Sequence, residues 1–112
     1  MHVFKEGMMY AQVTFFKVKP GMIEEMRKLT EQHIAPWLRG RRGFHGLHVA
    51  TIGATDVFAF GVWLNKGEAE ASRPEYDRLI QQTLGHLLTA TPEHKEGDVL
   101  LHVAGHEPHV HR

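Results

Sequence analysis

The sequence predicts a single α+β domain with the element order β-α-β-β-α-β, in which four strands form one antiparallel sheet and two helices cover one of its faces. Three observations lead to this prediction. The chain has 112 residues, the length of one ordinary domain. Two stretches repeat apolar residues at helical spacing, and runs rich in β-branched and aromatic residues flank them.

The first half of the chain predicts a strand, a helix and a second strand. Residues 8–19 are rich in aromatic and β-branched side chains, and a proline-glycine turn ends this strand. Residues 22–39 repeat apolar side chains every three or four positions, which predicts an amphipathic helix. Pro36 either kinks its last turn or stops the helix near Ala35. Residues 44–52 predict the second strand after a glycine-rich loop.

The second half predicts the remaining three elements. Residues 57–64 form a third strand that is nearly all apolar, after a short turn of hairpin type. Pro74 suits the first turn of the second helix, which we expect to end near Ala90. The last strand is predicted within residues 96–104, where apolar side chains are concentrated. The histidine-rich residues 106–112 show no core-forming pattern, and we expect them to be a mobile tail.

Composition narrows the classes of function. Lysine plus arginine number 13, as do aspartate plus glutamate, so the formal net charge is zero. The charge balance therefore gives no electrostatic reason to expect a nucleic-acid or membrane partner. The chain has no cysteine, which excludes a disulfide scaffold and thiol catalysis. No apolar stretch approaches the roughly 20 residues of a membrane span. We therefore expect one cytoplasmic domain over residues 1–112, with its core at about residues 8–105.

The third strand is apolar on both of its sides, which one sheet with one solvated face does not explain. Alternate residues point to opposite faces, and Ala59, Gly61 and Trp63 form one set. Helices cover only one face of the predicted sheet, so a second copy of the chain is expected to cover the other. The interface residues of the predicted homodimer are then Phe58, Phe60 and Val62.

Several short motifs resemble the dimeric α/β-barrel superfamily, and within it the antibiotic biosynthesis monooxygenase type. The first strand closes on Val18-Lys19-Pro20-Gly21, and acidic residues begin the helix after that turn. Gly43-Phe44 opens the second strand, and Val62-Trp63 closes the third before a polar turn. The resemblance implies two ferredoxin-like βαββαβ sheets that face each other across a dimer axis. It also implies a ligand pocket between each sheet and its own helices.

The same superfamily contains several activities, and the residues here separate them. Haem-degrading relatives use an asparagine, a tryptophan and a histidine at positions that correspond here to Thr14, Ser72 and Leu79, so haem degradation is disfavoured. Polyketide-oxidising relatives carry an asparagine four residues before the strand-three tryptophan, where this chain has Ala59. Only Trp63 matches that pattern. The fold alone therefore does not decide the activity.

The match at Trp63 implies that Ala59, Gly61 and Trp63 face the pocket. Two small residues beside a large aromatic ring leave room for a flat apolar ligand. Equally, small residues in a strand allow a helix to pack closely against it. Trp37 and Tyr76 are amphipathic aromatic residues that suit the mouth of such a pocket, although core packing is the alternative role for both.

Two of the ten histidines are candidates for a general base. His33 follows Leu29 by four positions and is expected on the inward face of the first helix, and His86 borders the apolar stripe of the second. The alternative is a partly buried ring bonded to a backbone carbonyl. We expect no cofactor and no physiological metal site, because the histidines near the chain end lack fixed geometry. These are His102, His106, His109 and His111.

The sequence therefore favours a homodimeric α/β barrel that binds a small apolar or aromatic molecule. The leading hypothesis is a cofactor-independent monooxygenase that acts on an aromatic or quinol-like substrate, whose own phenolate supplies the electrons. The alternative is a non-catalytic binding or structural dimer of the same fold.

Overall fold

The computed structural model describes residues 9–103 and 105, and its elements follow the predicted order. The strands are β1 (Tyr10–Lys17), β2 (Phe44–Ile52), β3 (Asp56–Trp63) and β4 (Glu93–Asp98). The helical segments are α1 (Ile23–Leu29), a π-helical turn (Thr30–Ile34), α2 (Ala35–Arg39), α3 (Lys66–Leu84) and a 3-10 turn (Gly85–Leu87). The predicted α+β class is confirmed.

The four strands form one antiparallel sheet in the order β2-β3-β1-β4. Its central pair is in register, with Thr14 of β1 opposite Ala59 of β3 and Phe15 opposite Phe58. Because side chains alternate along a strand, Thr14 and Ala59 point to the helices and the two phenylalanines point away. This arrangement leaves β2 and β4 as the two edges of the sheet.

The first helix keeps one buried face by changing its pitch. Met26 and Leu38 are both buried, but twelve residues of α-helix would rotate them about a third of a turn apart. The π-helical turn between α1 and α2 takes more residues per turn and restores the alignment, so that Ile34 is buried as well. The helix then continues through Pro36 to Arg39 instead of stopping near Ala35.

The second helix, α3, begins earlier than the sequence predicted. The side chain of Asn65 caps it, because Oδ1 accepts a hydrogen bond of 2.9 Å from the backbone N–H of Glu68. Pro74 therefore lies inside a 19-residue helix, and the prediction that it marks the first turn is wrong. None of the helices in the described part of the chain has the length and hydrophobicity needed to cross a bilayer.

The fourth strand lies before the apolar run that predicted it. β4 spans Glu93–Asp98 and pairs with β1, and the last backbone hydrogen bond here joins Val99 N to Met9 O at 2.8 Å. An edge strand needs backbone partners more than apolar side chains, which is why a polar segment fills this place. The apolar side chains that follow are exposed: Leu100 by 93%, Leu101 by 78% and Val103 by 77%.

The two faces of the sheet differ in their cover. Core side chains from β1, β3 and the helices pack together on one face, where Val57, Ala59 and Trp63 are buried. On the other face Phe58, Phe60 and Val62 are only half-buried. The rings of Phe15 and Phe58 lie 6.4 Å apart there, and Ile52 is 55% exposed.

Candidate functional site

A groove separates the first helix from strand β2 on the helix-covered face. Its volume is about 410 Å³, and its apolar walls include Ile23 and Met26 from α1 and Leu47 and Val49 from β2. Because β2 is an edge strand, the helix does not cover it fully, and Val49 stays 44% exposed. The described residues thus form an open apolar groove of the size that small ligands use.

A small void continues the groove into the core. Its volume is about 10 Å³, and its walls are shared with the groove at Met26, Thr30, Leu47 and Val49. Farther in, the void reaches Ala59 and Tyr76. A space of this volume holds about one water molecule or one group of similar size. The groove and the void together thus form one apolar space with a wide outer part and a narrow inner end.

Thr30 contributes a polar atom to these apolar walls. It is the first residue of the π-helical turn, and it lines both the groove and the void. Its hydroxyl oxygen is buried, and within the described part of the chain no hydrogen-bond partner satisfies it. Single π-helical turns often accompany functional sites, and a buried unsatisfied hydroxyl is a rare feature that calls for a partner.

Charged side chains surround the outer end of the groove. Arg27 bonds Glu31 at 2.6 Å and Glu24 at 2.8 Å, and all three residues border the groove. These ion pairs are exposed, so their contribution to stability is small. They give the groove a polar rim around an apolar floor.

The structure brings only part of the predicted pocket to the void. Ala59 and Tyr76 line it, whereas Trp63 is 2% exposed and donates from Nε1 to the side-chain oxygen of Gln12 at 3.0 Å. Trp63 packs edge-on against the ring of Phe44, with 5.4 Å between centroids. Trp63 is thus a core residue in this chain.

Gly61 and Trp37 also lie apart from the void. A Cβ atom at Gly61 would stand in ordinary van der Waals contact with Leu47, 3.7 Å from its Cδ1, so this glycine leaves room for no more than a methyl group. Trp37 stacks on Tyr76 with 6.1 Å between rings, and the guanidinium of Arg41 lies 4.9 Å from the Trp37 ring centroid. Trp37 therefore covers the outer side of Tyr76 and does not face a ligand space.

Both histidines proposed as bases are exposed. His33 was expected to point inward because it follows Leu29 by four positions, but the π-helical turn rotates it away from the core. His86 lies in the 3-10 turn after α3 and also points to solvent. Neither residue lines the groove or the void.

A polar cluster that the sequence did not predict lies between α3 and strands β1 and β4. Thr14 and His94 are directly opposite each other in the sheet, and the Thr14 hydroxyl lies 3.0 Å from Nδ1 of His94. Nε2 of His94 lies 3.4 Å from Oδ1 of Asp77. Arg73 pairs with Asp77 at 3.4 Å and also with Glu96. This cluster joins α3 to the edge strand through charged and hydrogen-bonding groups.

Burial shifts the pKa values of two members of this region. Burial, more than the nearby charges, lowers the pKa of His94 from its ordinary 6.5, so the ring is neutral at neutral pH. Burial likewise raises the pKa of the Tyr76 phenol to about 12, although the nearby Thr14 hydroxyl acts in the opposite direction. The sequence prediction missed His94 because the last strand was expected to begin no earlier than Glu96, two residues after His94, whereas β4 begins at Glu93.

Comparisons with known proteins identify the fold. The fold is that of the antibiotic biosynthesis monooxygenase domains, which confirms the resemblance seen in the sequence. No family model matches the chain, and no curated protein matches it.

Three solved structures illustrate the similarity. The monooxygenase from the ActVA-Orf6 gene of Streptomyces coelicolor, in complex with nanaomycin D, is 17% identical with a TM-score of 0.72, covering 88% of this chain and 94% of that one. SnoaB, a cofactor-independent oxygenase from Streptomyces nogalater, is 15% identical with a TM-score of 0.69, covering 88% and 99%. A Nitrosomonas europaea protein of unknown function is 12% identical with a TM-score of 0.75, covering 92% and 100%.

Of the four histidines near the chain end, at which no metal site was expected, the structure describes one. His102 is exposed, and His106, His109 and His111 lie outside the described residues. Within residues 9–103 and 105, no group of three or more histidine and acidic side chains is arranged to hold a metal ion.

Proposed function

We propose that this protein binds a small, flat apolar or aromatic molecule in the groove between the first helix and β2. The observation that carries this proposal is the groove of about 410 Å³ with a void at its floor. Apolar walls supply affinity through burial, and one enclosed polar atom, the Thr30 hydroxyl, supplies orientation. A ring lies in the groove and a single hydroxyl or carbonyl group enters the void.

The chemistry that this arrangement supports best is oxidation of an aromatic or quinol-like substrate by dioxygen without a bound cofactor. A neighbouring structure is described as a cofactor-independent oxygenase, and another holds nanaomycin D. In such a reaction the ionised substrate supplies the electrons. The protein then needs a dry apolar groove and a group that removes a proton.

We also propose that the working form is a homodimer in which the open sheet faces meet. Phe58, Phe60 and Val62 lie on that face and are half-buried in one chain. Phe15 is 38% exposed beside them, and Leu100 is 93% exposed after β4. Burying these side chains against a second copy removes their apolar surface from water.

A non-catalytic binding or structural dimer is the second candidate function. It is favoured by the small volume of the void, about 10 Å³, and by Leu47, which packs within contact distance of Gly61 and leaves no ligand-sized space there. In this case the groove is a surface depression over a filled core.

Titration calorimetry with 2-naphthol, a flat aromatic molecule with one hydroxyl group, tests the proposal. The Val49→Glu variant places a charge in the groove and should weaken binding about tenfold or more, which corresponds to about 1.4 kcal/mol. Leu64→Glu is the matched control, since Leu64 is 49% exposed and lies outside the groove. Absence of binding by the wild-type protein, or equal loss in both variants, would favour the structural dimer.

A further inference from the structure

Strand β4 has no apolar side chain with which to pack against the helices. Its sequence over Glu93–Asp98 is EHKEGD. The register with β1 places His94 and Glu96 opposite Thr14 and Gln12, on the face of the sheet that α3 covers. A strand that faces a helix normally presents apolar side chains there. The contact between β4 and α3 is therefore made by polar and charged groups.

Two side chains one turn apart on α3 meet the two from β4. Arg73 pairs with Glu96 and also lies 3.4 Å from Asp77. The other carboxylate oxygen of Asp77 lies 3.4 Å from Nε2 of His94. The guanidinium therefore stands between two carboxylates, and both of them have a positive partner while the histidine ring is neutral.

Strand β1 encloses the ring from the opposite side. Thr14 is 2% exposed, and its hydroxyl lies 3.0 Å from Nδ1 of His94. A charge on the enclosed ring would lose much of its contact with water. Burial therefore lowers the pKa of His94, and it outweighs the nearby charges of Asp77, Arg73 and Glu96. The ring is neutral as long as β4 stays against α3.

The two ends of β4 are held unequally. Before the strand, Leu87 is buried and the backbone N–H of Thr89 donates to the carbonyl of Lys17 at 2.9 Å. After the strand, the last backbone hydrogen bond among the described residues joins Val99 N to Met9 O at 2.8 Å. Segments with few buried apolar contacts open locally before the rest of a protein unfolds. The C-terminal end of β4 is thus the end from which the strand can open.

We propose that β4 is an acid-sensitive edge strand, which leaves α3 and β1 when His94 gains a proton while the other three strands stay paired. In the open state water surrounds the ring and solvates its charge, whereas the closed state keeps the ring enclosed. The open state therefore binds the proton more readily, and a fall in pH below the ordinary histidine value of 6.5 shifts the population towards it. This device is independent of the proposed ligand site.

Amide hydrogen exchange followed by NMR at pH 7.5 and pH 5.5 tests the opening of β4. Carboxyl groups ordinarily titrate near pH 4, so His94 is the member of the polar cluster whose charge changes in this range. Hydrogen-bonded pairs alternate along an antiparallel ladder, so the amides of Lys95 and Gly97 bond β1 as that of Val99 does. Their protection, corrected for the intrinsic exchange rate, should fall severalfold at the lower pH. The protection of the central β3 amides should not change.

His94→Gln removes the titrating ring and keeps a side chain that can hydrogen-bond Thr14. We expect the β4 amides of this variant to have the same protection at both pH values. His33→Gln, at an exposed ring, is the matched control and should show the wild-type loss. An equal loss in His94→Gln, or a loss in β3 as large as that in β4, would overturn the proposal.

The titration of the His94 ring in the wild-type protein is a second test that needs no variant. Carbon-proton correlation NMR across the same pH range follows the ring directly. We expect a midpoint below the ordinary histidine value of 6.5, because the closed strand resists the charge. A midpoint above 6.5 would mean that acid tightens the contact between β4 and α3, which is the opposite of the proposed behaviour.

Discussion

Buried side-chain polar atoms without a hydrogen bond occur at two places among the described residues. One is the Thr30 hydroxyl in the wall of the groove, and the other is the pair formed by Nε of Arg73 and Oδ1 of Asp77 beside His94. Leaving a buried hydroxyl such as that of Thr30 unsatisfied costs about 1–3 kcal/mol in a folded protein. The Thr30 hydroxyl therefore supports the proposed ligand site in the groove, whereas Nε of Arg73 and Oδ1 of Asp77 each keep a polar neighbour at 3.4 Å.

Ala59 decides how much space the void offers. The Ala59→Leu change adds three carbon atoms to a wall of a void of about 10 Å³, so we expect overpacking that destabilises the protein by about 1–3 kcal/mol. Urea denaturation measures this change, and calorimetry with 2-naphthol should show weaker binding. Ala71→Leu, on the exposed side of α3, is the control and should alter neither quantity. Unchanged stability in the Ala59 variant would mean that the cavity is larger than about 10 Å³.

The lowered pKa of His94 predicts a dependence of stability on pH. Because burial lowers the folded-state pKa below the ordinary value of 6.5, the unfolded chain binds the proton more readily than the folded one. The contribution to the free energy of unfolding is therefore fully present above pH 6.5 and is lost as the pH falls from there towards the folded-state pKa. Urea denaturation across this range should show the loss in the wild type.

His94→Gln should make that profile flatter, because the titrating ring is gone. His33→Gln, changed at an exposed ring, is the matched control and should keep the wild-type profile. A variant at His94 that retains the full pH dependence would contradict the assignment to this ring.

At the scale of elements, the sequence predicts those strands and helices whose apolar residues recur at regular spacing. Three of the four strands and the first helical region were placed close to their observed bounds, since period-two and helical spacing identify them, whereas the second helix begins eight residues before Pro74. The fourth strand was misplaced because Glu93–Asp98 is a polar edge, held by backbone pairing with β1 that spacing does not reveal. His94 was missed for the same reason, and His33 was misjudged because spacing assumes a regular α-helix.

The π-helical turn predicts that the first helix tolerates the deletion of one residue better than a regular α-helix does. Removing exposed His33 would leave Met26 and Leu38 eleven residues apart, which is close to three regular turns, so both remain on the buried face. We expect this deletion to fold with little loss of stability. Gln81 is exposed in regular α3, and its deletion should rotate buried Leu84 out of the core and cost about 2–5 kcal/mol, as truncation of a buried leucine does.

Urea denaturation of the two deletion proteins compares them directly. Equal destabilisation by both deletions would show that the first helix does not use the π-helical turn to align its apolar residues.

At the scale of the whole molecule, the sheet has one face packed against helices and one that a single chain leaves half-covered. The centre of the second face carries phenylalanines, whereas the edge strand β4 contributes Glu93 and Lys95. An apolar centre with a polar margin is the usual anatomy of a protein interface. The sequence predicted the apolar character of the second face from the third strand alone, because only that strand is apolar on both sides.

Sedimentation at micromolar concentration tests the proposed dimer. The wild type should sediment at twice the chain mass of 12.8 kDa. Phe60→Asp puts a carboxylate into the apolar centre of the open face and should dissociate or unfold the protein, because a buried unpaired charge is costly. Gln82→Asp, on the exposed side of α3, is the control and should remain dimeric. A wild-type monomer would contradict the pairing of the two sheet faces.

The central proposal is that the groove between the first helix and β2 binds a small aromatic molecule. Methyl NMR during titration with 2-naphthol tests this proposal most directly. The methyl signals of Met26, Leu47 and Val49 belong to the groove, and those of Val13 and Val62 belong to the open face of the sheet. We expect saturable shifts of the three groove signals, because ring currents act strongly on methyl groups in contact with an aromatic ligand. Shifts confined to Val13 and Val62, or no shift at any of the five, would contradict the claim.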